Sequence, residues 1–367
     1  MSDLPAARPT SGVRREVTMG DIARESGVSQ STVSRVLNAA PSTIQYSEDT
    51  RQKVFRAARR LGYRPNPLAR GLRGSSTMLL GVIVRQITDP FFAWAIEAVT
   101  TAAAARGYNV VLGHAHGRAD EAIALRSVLE TRHVDAILLL GDMRDQPRLL
   151  EDLRGSSVPV VAIWQGNAPH GLPTVSVDNC RGVEAVLDHL LALGHRRIAF
   201  VSGRPLGDIQ ERQAAYEARL RAEGLELPAG FIQQVPNLPA GGERALGALV
   251  RLPVRPTAIV CSTDQLAIGV LHGAATRGLR VPCDLSVTGF DDLPLATFLV
   301  PSLTTVRMPV RAMAEKAVQM AIDRVGESGP AVTEALQPEL VVRQSTGPPP
   351  GPADAPGSRQ HVNPESR

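Results

Sequence analysis

Gln30, Ser31, Ser34 and Arg35 fall on the outward side of a segment with helical spacing, and Ser29 in front of them can cap it. Arg can pair with both acceptors of a guanine edge and Gln with adenine, so the set suits the reading of a DNA major groove. A plain helical hairpin with a solvated polar face uses the same residue types. A second concentration begins at Asp89–Pro90 and continues at once into Phe91, Phe92 and Trp94, in a chain with only thirteen aromatic residues. Rings at a strand-to-helix junction can stack on a sugar or a base. They can equally do no more than pack the helix they begin.

The elements around these residues follow from spacing. Thr18 with Asp21 opens a first helix and Gly27 closes it; Ile22, Ala23, Val28, Val33 and Leu37 then form a small core shared with the helix after Ser29, which makes a helix-turn-helix. A third helix runs from the Ser47 cap to about Leu61 and carries Arg51, Lys53, Arg56, Arg59 and Arg60. Asn66 and Pro67 then cap and open a very short segment ending near Leu72, with prolines and glycines that suit a helix formed only against a partner.

From residue 79 onward, short aliphatic runs alternate with helical patterns. Strands are expected over 79–84, 109–112, 135–140, 159–163, 198–202, 258–262 and 286–289, with helices over 91–105, 120–131, 181–193, 211–222, 242–250 and 264–276. This alternation predicts parallel sheets covered by helices, an α/β class. About 270 residues exceed what one such sheet needs, so two lobes are expected, with a crossover at 173–179.

The chain has 367 residues, 43% of them hydrophobic and 21% charged, with a net charge of +4. The charge is uneven: residues 1–75 hold thirteen Arg and Lys against six acids, or +7, which leaves −3 for the rest. A basic segment on a slightly acidic body points to a polyanion as partner of the first part. No run approaches a membrane span and the N-terminus lacks the layout of a secretory signal, so a cytoplasmic location is expected. Cys180, Cys261 and Cys283 match no zinc or disulfide framework and are expected reduced and mostly buried. His195 and His189 are expected as a turn residue and a helix-surface residue.

Residues 17–75, with VTMGDIARESGVSQSTVSRVLN and SEDTRQKVFRAARRLGYRPNPLARGLR, and after them LLGVIV at 79–84 and DPFF at 89–92, resemble the LacI/GalR family of bacterial transcriptional repressors. The likeness continues through GHRRIAFVSG at 194–203, STDQLAIG at 262–269, LSVTGFDD at 285–292 and PSLTTV at 301–306. It implies a two-lobed periplasmic-binding-protein-like (type I) α/β effector region preceded by a small all-α helix-turn-helix DNA-binding domain.

Residues 1–15 are expected to be an unstructured extension from their composition; by the resemblance, 16–64 are the helix-turn-helix domain, 65–77 a hinge helix and linker, and 78–346 the effector and dimerisation region. Its crossovers are implied near 173–179, 306–310 and 335–339, while 347–367, rich in proline and glycine, are expected to form a disordered tail. Gln30, Ser31 and Arg35 are implied to touch bases, and Thr18, Ser29, Thr32, Ser34 and Asn38 phosphates. Tyr63, Asn66, Ala69 and Leu72 are implied DNA contacts of the hinge, with Leu72 wedging a base step in the minor groove. Asp89, Phe91, Phe92, Arg212 and Asp291 are the implied effector contacts, with Arg212 placed by the ERxxxY pattern. Asp264 is expected as a structural cap rather than a contact.

The sequence departs from the family pattern in several places. The 38–50 connection is about three residues long in excess and Gly71 lies within the hinge helix. Trp164 stands where an acidic residue is common, and Asn237 where an aromatic is, so Trp164 and Asn237 join the effector set. The partners implied are pseudo-palindromic operator DNA, a second copy of the chain, and a small molecule, a sugar or sugar derivative. A nucleoside, a sugar acid or a protein co-regulator reading the effector surface are the alternatives. An enzyme is not expected, and no cofactor: the first strand is followed by VRQITDPFF without GxGxxG or GxxxxGK[ST], and no GxSxG occurs.

Overall fold

The computed structural model describes residues 17–38, 46–63, 76–114, 127, 134–143, 145–163, 171–205, 207–326 and 331–351. The expectations for residues 1–15, for Asn66, Ala69, Leu72 and Trp164, and nearly all of the 120–131 helix lie outside the described residues. The chain divides into two compact units, Met1–Ser75 and Ser76–Arg367.

The first unit holds α1 (Met19–Ser26), α2 (Gln30–Asn38) and α3 (Glu48–Leu61). Thr18 and Asp21 cap α1 reciprocally: the Asp21 N–H donates to Thr18 Oγ1 at 3.3 Å and the Thr18 N–H to the Asp21 carboxylate at 2.8 Å. Gly27 ends α1 at φ +69°, and three residues later α2 begins, capped by Ser29, which accepts from the Thr32 N–H at 3.1 Å. Ile22, Val33, Val36, Val54, Ala57 and Ala58 are buried between the three helices, with Ala23, Val28, Leu37, Leu61 and Tyr63 packed around them.

In the second unit the elements are β1 (Leu79–Val84), α4 (Pro90–Ala104), β2 (Asn109–His114), β3 (Ala136–Leu140), α5 (Pro147–Arg154), β4 (Val160–Ile163) and β5 (Thr174–Val177). There follow α6 (Asn179–Ala192), β6 (Ile198–Ser202), α7 (Gly207–Ala222), β7 (Ile232–Gln234), α8 (Pro239–Leu249), β8 (Ala258–Cys261), α9 (Asp264–Thr276) and β9 (Ser286–Thr288). A 3-10 turn (Pro294–Thr297), β10 (Thr305–Arg307), α10 (Val310–Asp323), β11 (Thr333–Leu336) and β12 (Glu339–Val341) complete it.

A six-stranded parallel sheet, β11-β5-β4-β3-β1-β2, forms one lobe and a four-stranded parallel sheet, β7-β6-β8-β9, the other. The central strands read LLGVIV, AILLL and VVAI and are buried on both faces, as parallel sheets between helices require. The chain passes between the lobes three times, at Asp178, at 308–309 and at 337–338, and β10 pairs antiparallel with β12 beside these passages.

Both sheets reverse strand order. In the first lobe β1 neighbours β2 on one side and β3 on the other; in the second, β6 lies between β7 and β8. At such a switch point the loops leaving adjacent strands diverge to opposite faces and open a crevice at the carboxyl ends. The two crevices hold the cleft described below.

Several expectations are corrected. Residues 174–177, inside the stretch expected as a crossover, form β5, and β7, β10, β11, β12, α5 and α10 are not among the expected elements. His195 is no turn residue: it is fully buried, with Nδ1 2.9 Å from Thr257 Oγ1 and Nε2 donating to the Gly347 carbonyl at 2.8 Å. Burial holds it below the usual imidazole pKa, so it is neutral. His189 is half-buried and meets Thr346 Oγ1 at 2.9 Å. The tail expected to be disordered from Gly347 onward is fixed at its start, where the Gly347 N–H also donates to Ser286 Oγ at 3.0 Å. Of the cysteines, only Cys261 is buried; Cys180 and Cys283 are exposed.

Helices α8 and α9 meet backbone to backbone. A Cβ on Gly242 would lie 2.0 Å from the Leu266 carbonyl oxygen, and one on Gly269 1.8 Å from that of Pro239. Neither carbonyl can retreat without moving its helix. Gly269→Ala is therefore expected to destabilise the second unit by about 3 kcal/mol, the upper range for overpacking, measured by urea unfolding; a loss indistinguishable from zero contradicts the close approach.

Candidate functional site

The loops at the two switch points face each other across a cleft of about 310 Å³. Arg85, Gln86, Asp89, Phe91, Phe92, Gly141 and Asp142 line it from the first lobe, and Gly203, Arg204, Asp208, Ile209, Arg212, Pro236, Asn237, Thr263 and Asp291 from the second. The volume lies at the small end for ligand sites and suits one sugar ring or nucleoside.

Helix α4 positions the aromatic pair. Asp89 caps it by accepting from the Phe91 N–H at 3.0 Å, and Pro90 supplies the first helical φ. Phe91 is buried and Phe92 half-buried, edge to face with centroids 5.4 Å apart. The Phe92 ring rests on Gly141, where a Cβ would come within 2.6 Å and φ is +88°, so a side chain there is excluded twice. Trp94, also on α4, packs on the core and does not line the cleft.

Arg212, 3% exposed, is the centre of the second wall. Its Nε donates to Asn179 Oδ1 at 2.8 Å and Nη1 to the Ser262 carbonyl at 2.7 Å; Nη1 also lies 3.5 Å from the Asp291 carboxylate. The guanidinium sits 3.6 Å from the centroid of the Phe290 ring. Asp291 is held at φ +125°, a strained conformation for a residue with a side chain, and its N–H donates to the Val306 carbonyl at 2.9 Å beside the second passage between lobes.

Asn237 connects the walls. Its Nδ2 donates to Asp89 of the other lobe at 3.3 Å while its Oδ1 accepts from Thr263 at 2.6 Å. At the rim Arg85 forms a bidentate pair with Asp145, at 2.7 and 2.8 Å, and Arg204 of the second lobe donates to the same carboxylate at 2.9 Å. Asp208 accepts from Asn179 Nδ2 at 2.9 Å.

Burial raises the pKa of three cleft carboxyls. Asp291 is pushed well above the usual carboxylate range, against the opposing pull of Arg212; Asp208 is raised likewise, against Arg212 and the Asn179 amide; Asp89 is raised against the Phe91 N–H and Asn237. Asp264 does not line the cleft: its carboxylate accepts from Thr305 Oγ1 at 2.5 Å and from the Leu293 N–H at 2.8 Å. Thr263, not Asp264, caps α9. Asp292 pairs with Arg307 at 2.8 Å and Arg343 at 2.6 Å.

The cleft thus brings together Asp89, Phe91, Phe92, Arg212, Asn237 and Asp291. Sequence reasoning misses Asp208 and Thr263, although each follows an expected strand, within six residues of its end, where a ligand-binding loop belongs.

On the first unit, Gln30, Ser31 and Arg35 are exposed on α2, with Thr32 and Ser34 half-buried. Arg35 Nη1 reaches Tyr46 Oη at 3.3 Å. The hydroxyls of Thr18 and Ser29 serve the helix caps: Thr18 Oγ1 donates to Asp21 at 2.7 Å, and Ser29 Oγ shares hydrogen bonds with Ser31 and Thr32, both at 2.8 Å. Asn38 is the last residue of α2, and Tyr63 packs on the helix-turn-helix core.

Residues 18–66 match the profile of bacterial regulatory proteins of the lacI family, and residues 187–346 that of a periplasmic binding protein-like domain. Catabolite control protein A of Priestia megaterium is 34% identical over 83% of this chain and 91% of its own length. The HTH-type transcriptional repressor CytR of Escherichia coli (strain K12) is 33% identical over 90% of this chain and 96% of its own. The chain belongs to the lacI family. It is a DNA-binding transcriptional regulator, and the family is one of repressors rather than enzymes. Among solved structures, the lac repressor dimer bound to operator and the anti-inducer ONPF is similar at a TM-score of 0.81, with 25% identity over 91% of this chain and all of that one. The complex of the transcriptional regulator CelR with cellobiose is similar at 0.66, with 29% identity over 90% of this chain and all of that one.

The buried acid beside the cleft carries a pH signature. Burial pushes Asp264 up to about 7 from an ordinary value of 3.8, so the folded chain holds this proton more tightly than the unfolded chain. Its contribution to stability is present below about pH 4 and lost as pH rises to about 7. Asp264→Asn is expected to gain on wild type across that window and to level off above it, read as the difference in urea unfolding free energy at several pH values; a difference independent of pH contradicts this.

Proposed function

We propose that this lacI-family regulator is a homodimeric repressor that holds a near-palindromic operator and changes its affinity when a small molecule fills the cleft between its lobes. The observation that carries the reading is the cleft itself. Two switch-point crevices meet face to face, an aromatic pair offers a stacking surface, and Asn237 bridges to Asp89 across the gap. A ligand entering there must replace or join that bond, and so bears on lobe closure.

The effector class is a sugar or sugar derivative, with a nucleoside as the second reading. The ONPF-bound lac repressor and the cellobiose-bound CelR support ligand control in similar proteins. A sugar acid fits less well, since each arginine among the described cleft residues is already bonded to protein groups. The acidic body stays off the phosphates while the basic first unit binds them, which makes operator affinity salt-dependent. Leu72, in the hinge, is the proposed wedge between base steps, on the strength of the family resemblance. The regulator works in the cytoplasm, where the chromosome is; no helix among the described residues is long and apolar enough to cross a membrane.

Pairing of two copies has a candidate surface. Leu295, Phe298 and Val300 lie within six residues and are 52, 78 and 96% exposed. Apolar side chains so exposed mark association surfaces, and two-fold pairing would present two reading helices to two half-sites. Phe298→Glu with Val300→Glu is expected to sediment as a monomer and lose operator binding; a stable dimer would move the interface elsewhere. Arg35→Ala should weaken operator binding by about 1–3 kcal/mol with the binding to random DNA little changed, measured by fluorescence anisotropy. Equal losses on both DNAs would make Arg35 a phosphate contact instead.

A further inference from the structure

The charges on the cleft walls do not balance by pairing. Arg85 and Arg204 both spend their guanidinia on Asp145, which is not among the cleft-lining residues. Arg212 is committed to Asn179, the Ser262 carbonyl and Asp291. Asp89 is left with neutral partners, the Phe91 N–H and the Asn237 amide, while Asp208 on the opposite wall accepts from the Asn179 amide and must share the single Arg212 cation with Asp291.

These two carboxylates are not spare surface acids. Each lines the cleft and each stands at the start of a helix, Asp89 as the cap of α4 and Asp208 in the first turn of α7. Helix N-termini favour the ionised form but supply only about half a unit of positive charge each. Burial acts against ionisation at both positions. A ligand that brings a further full positive charge would give Asp89 the cation it lacks and Asp208 one it need not share, and would draw together walls that belong to different lobes. The aromatic surface of Phe92 is beside Asp89 on the same wall, so ring stacking and charge pairing can be satisfied by one compact molecule.

We propose that the effector is an amino sugar, a monosaccharide-sized molecule whose ammonium group is held between Asp89 and Asp208 while its ring lies against Phe92. The inference rests on the reading of the cleft as the effector site and adds the charge of the ligand to it.

The test is isothermal titration of the full chain with glucosamine, galactosamine and mannosamine, each beside its parent hexose and its N-acetyl form, with glucuronate as the acid. At least one amino sugar should bind about tenfold or more tightly than both its parent and its N-acetyl form. In Asp89→Asn and in Asp208→Asn that ratio should fall below about threefold, with unfolding curves confirming that both fold; the Asp89→Asn side chain can still cap α4. The proposal is overturned if no amino sugar binds, if a neutral or acidic relative binds as well or better, or if the ratio survives both substitutions. The sensor reading fails by a different result: a bound cleft ligand of any charge that leaves operator affinity unchanged.

Discussion

The sensor depends on one buried guanidinium. Arg212 is bonded to Asn179 at the head of α6, to the end of β8 through Ser262, and to Asp291 after β9, and its Nη2 lies 3.7 Å from Met308 Sδ. Asn179 follows the first passage between the lobes and Met308 lies on the second. The third is joined to the first through Asp178, whose N–H donates to the Leu336 carbonyl at 2.9 Å. A single cation therefore reaches every place where the chain changes lobe, the second directly, the first through Asn179 and the third through Asn179 and Asp178. Removing it would leave Asp291 buried without its partner, which is far more costly than the net worth of the pair.

That arrangement gives the cleft mechanical leverage. Asp291 carries strained backbone and donates its N–H to the strand of the second passage, so a ligand that engages the Arg212 and Asp291 wall acts on the connections that set lobe closure. At the other end of the first lobe, the Asp135 carboxylate accepts from the Thr77 N–H at 2.8 Å, from Thr77 Oγ1 at 2.7 Å and from the Met78 N–H at 3.0 Å. It fixes the residues through which the chain enters β1. Under the proposed switch, a change of lobe closure would start from this firmly held entry to β1 rather than from a loose one, as two-state coupling between distant sites requires.

Much of this fold is legible in the order of the residues alone. The strands 79–84 and 198–202 match expectation to the residue, because LLGVIV and IAFVS are runs of mainly aliphatic or aromatic residues, nearly all buried, and have few alternatives. The caps at Thr18, Ser29 and Ser47 locate the first three helices, since each side chain satisfies a backbone donor that the sequence makes predictable. What escapes are β5, β7, β10, β11 and β12. These are three or four residues long, lie at sheet edges or beside the passages between lobes, and carry residues such as Thr305, Glu334 and Glu339 that resemble loop. Helix α10 is the avoidable omission, since Val310, Met313, Ala314, Ala317, Val318 and Ala321 repeat at helical spacing.

The site is legible in kind and less so in detail. The residue types place Asp89, Phe91 and Phe92 in a pocket, yet the commitment of Arg212 to internal partners cannot be foreseen, because Asn179, Ser262 and Met308 lie 33, 50 and 96 residues from it in sequence. The central claim is that filling the cleft changes the grip on DNA. Its most direct measurement is the affinity of the full chain for its footprinted operator, with and without a saturating cleft ligand whose occupancy calorimetry has established. The account predicts a change of at least about fivefold in one direction; identical affinities with the cleft full and empty would contradict it.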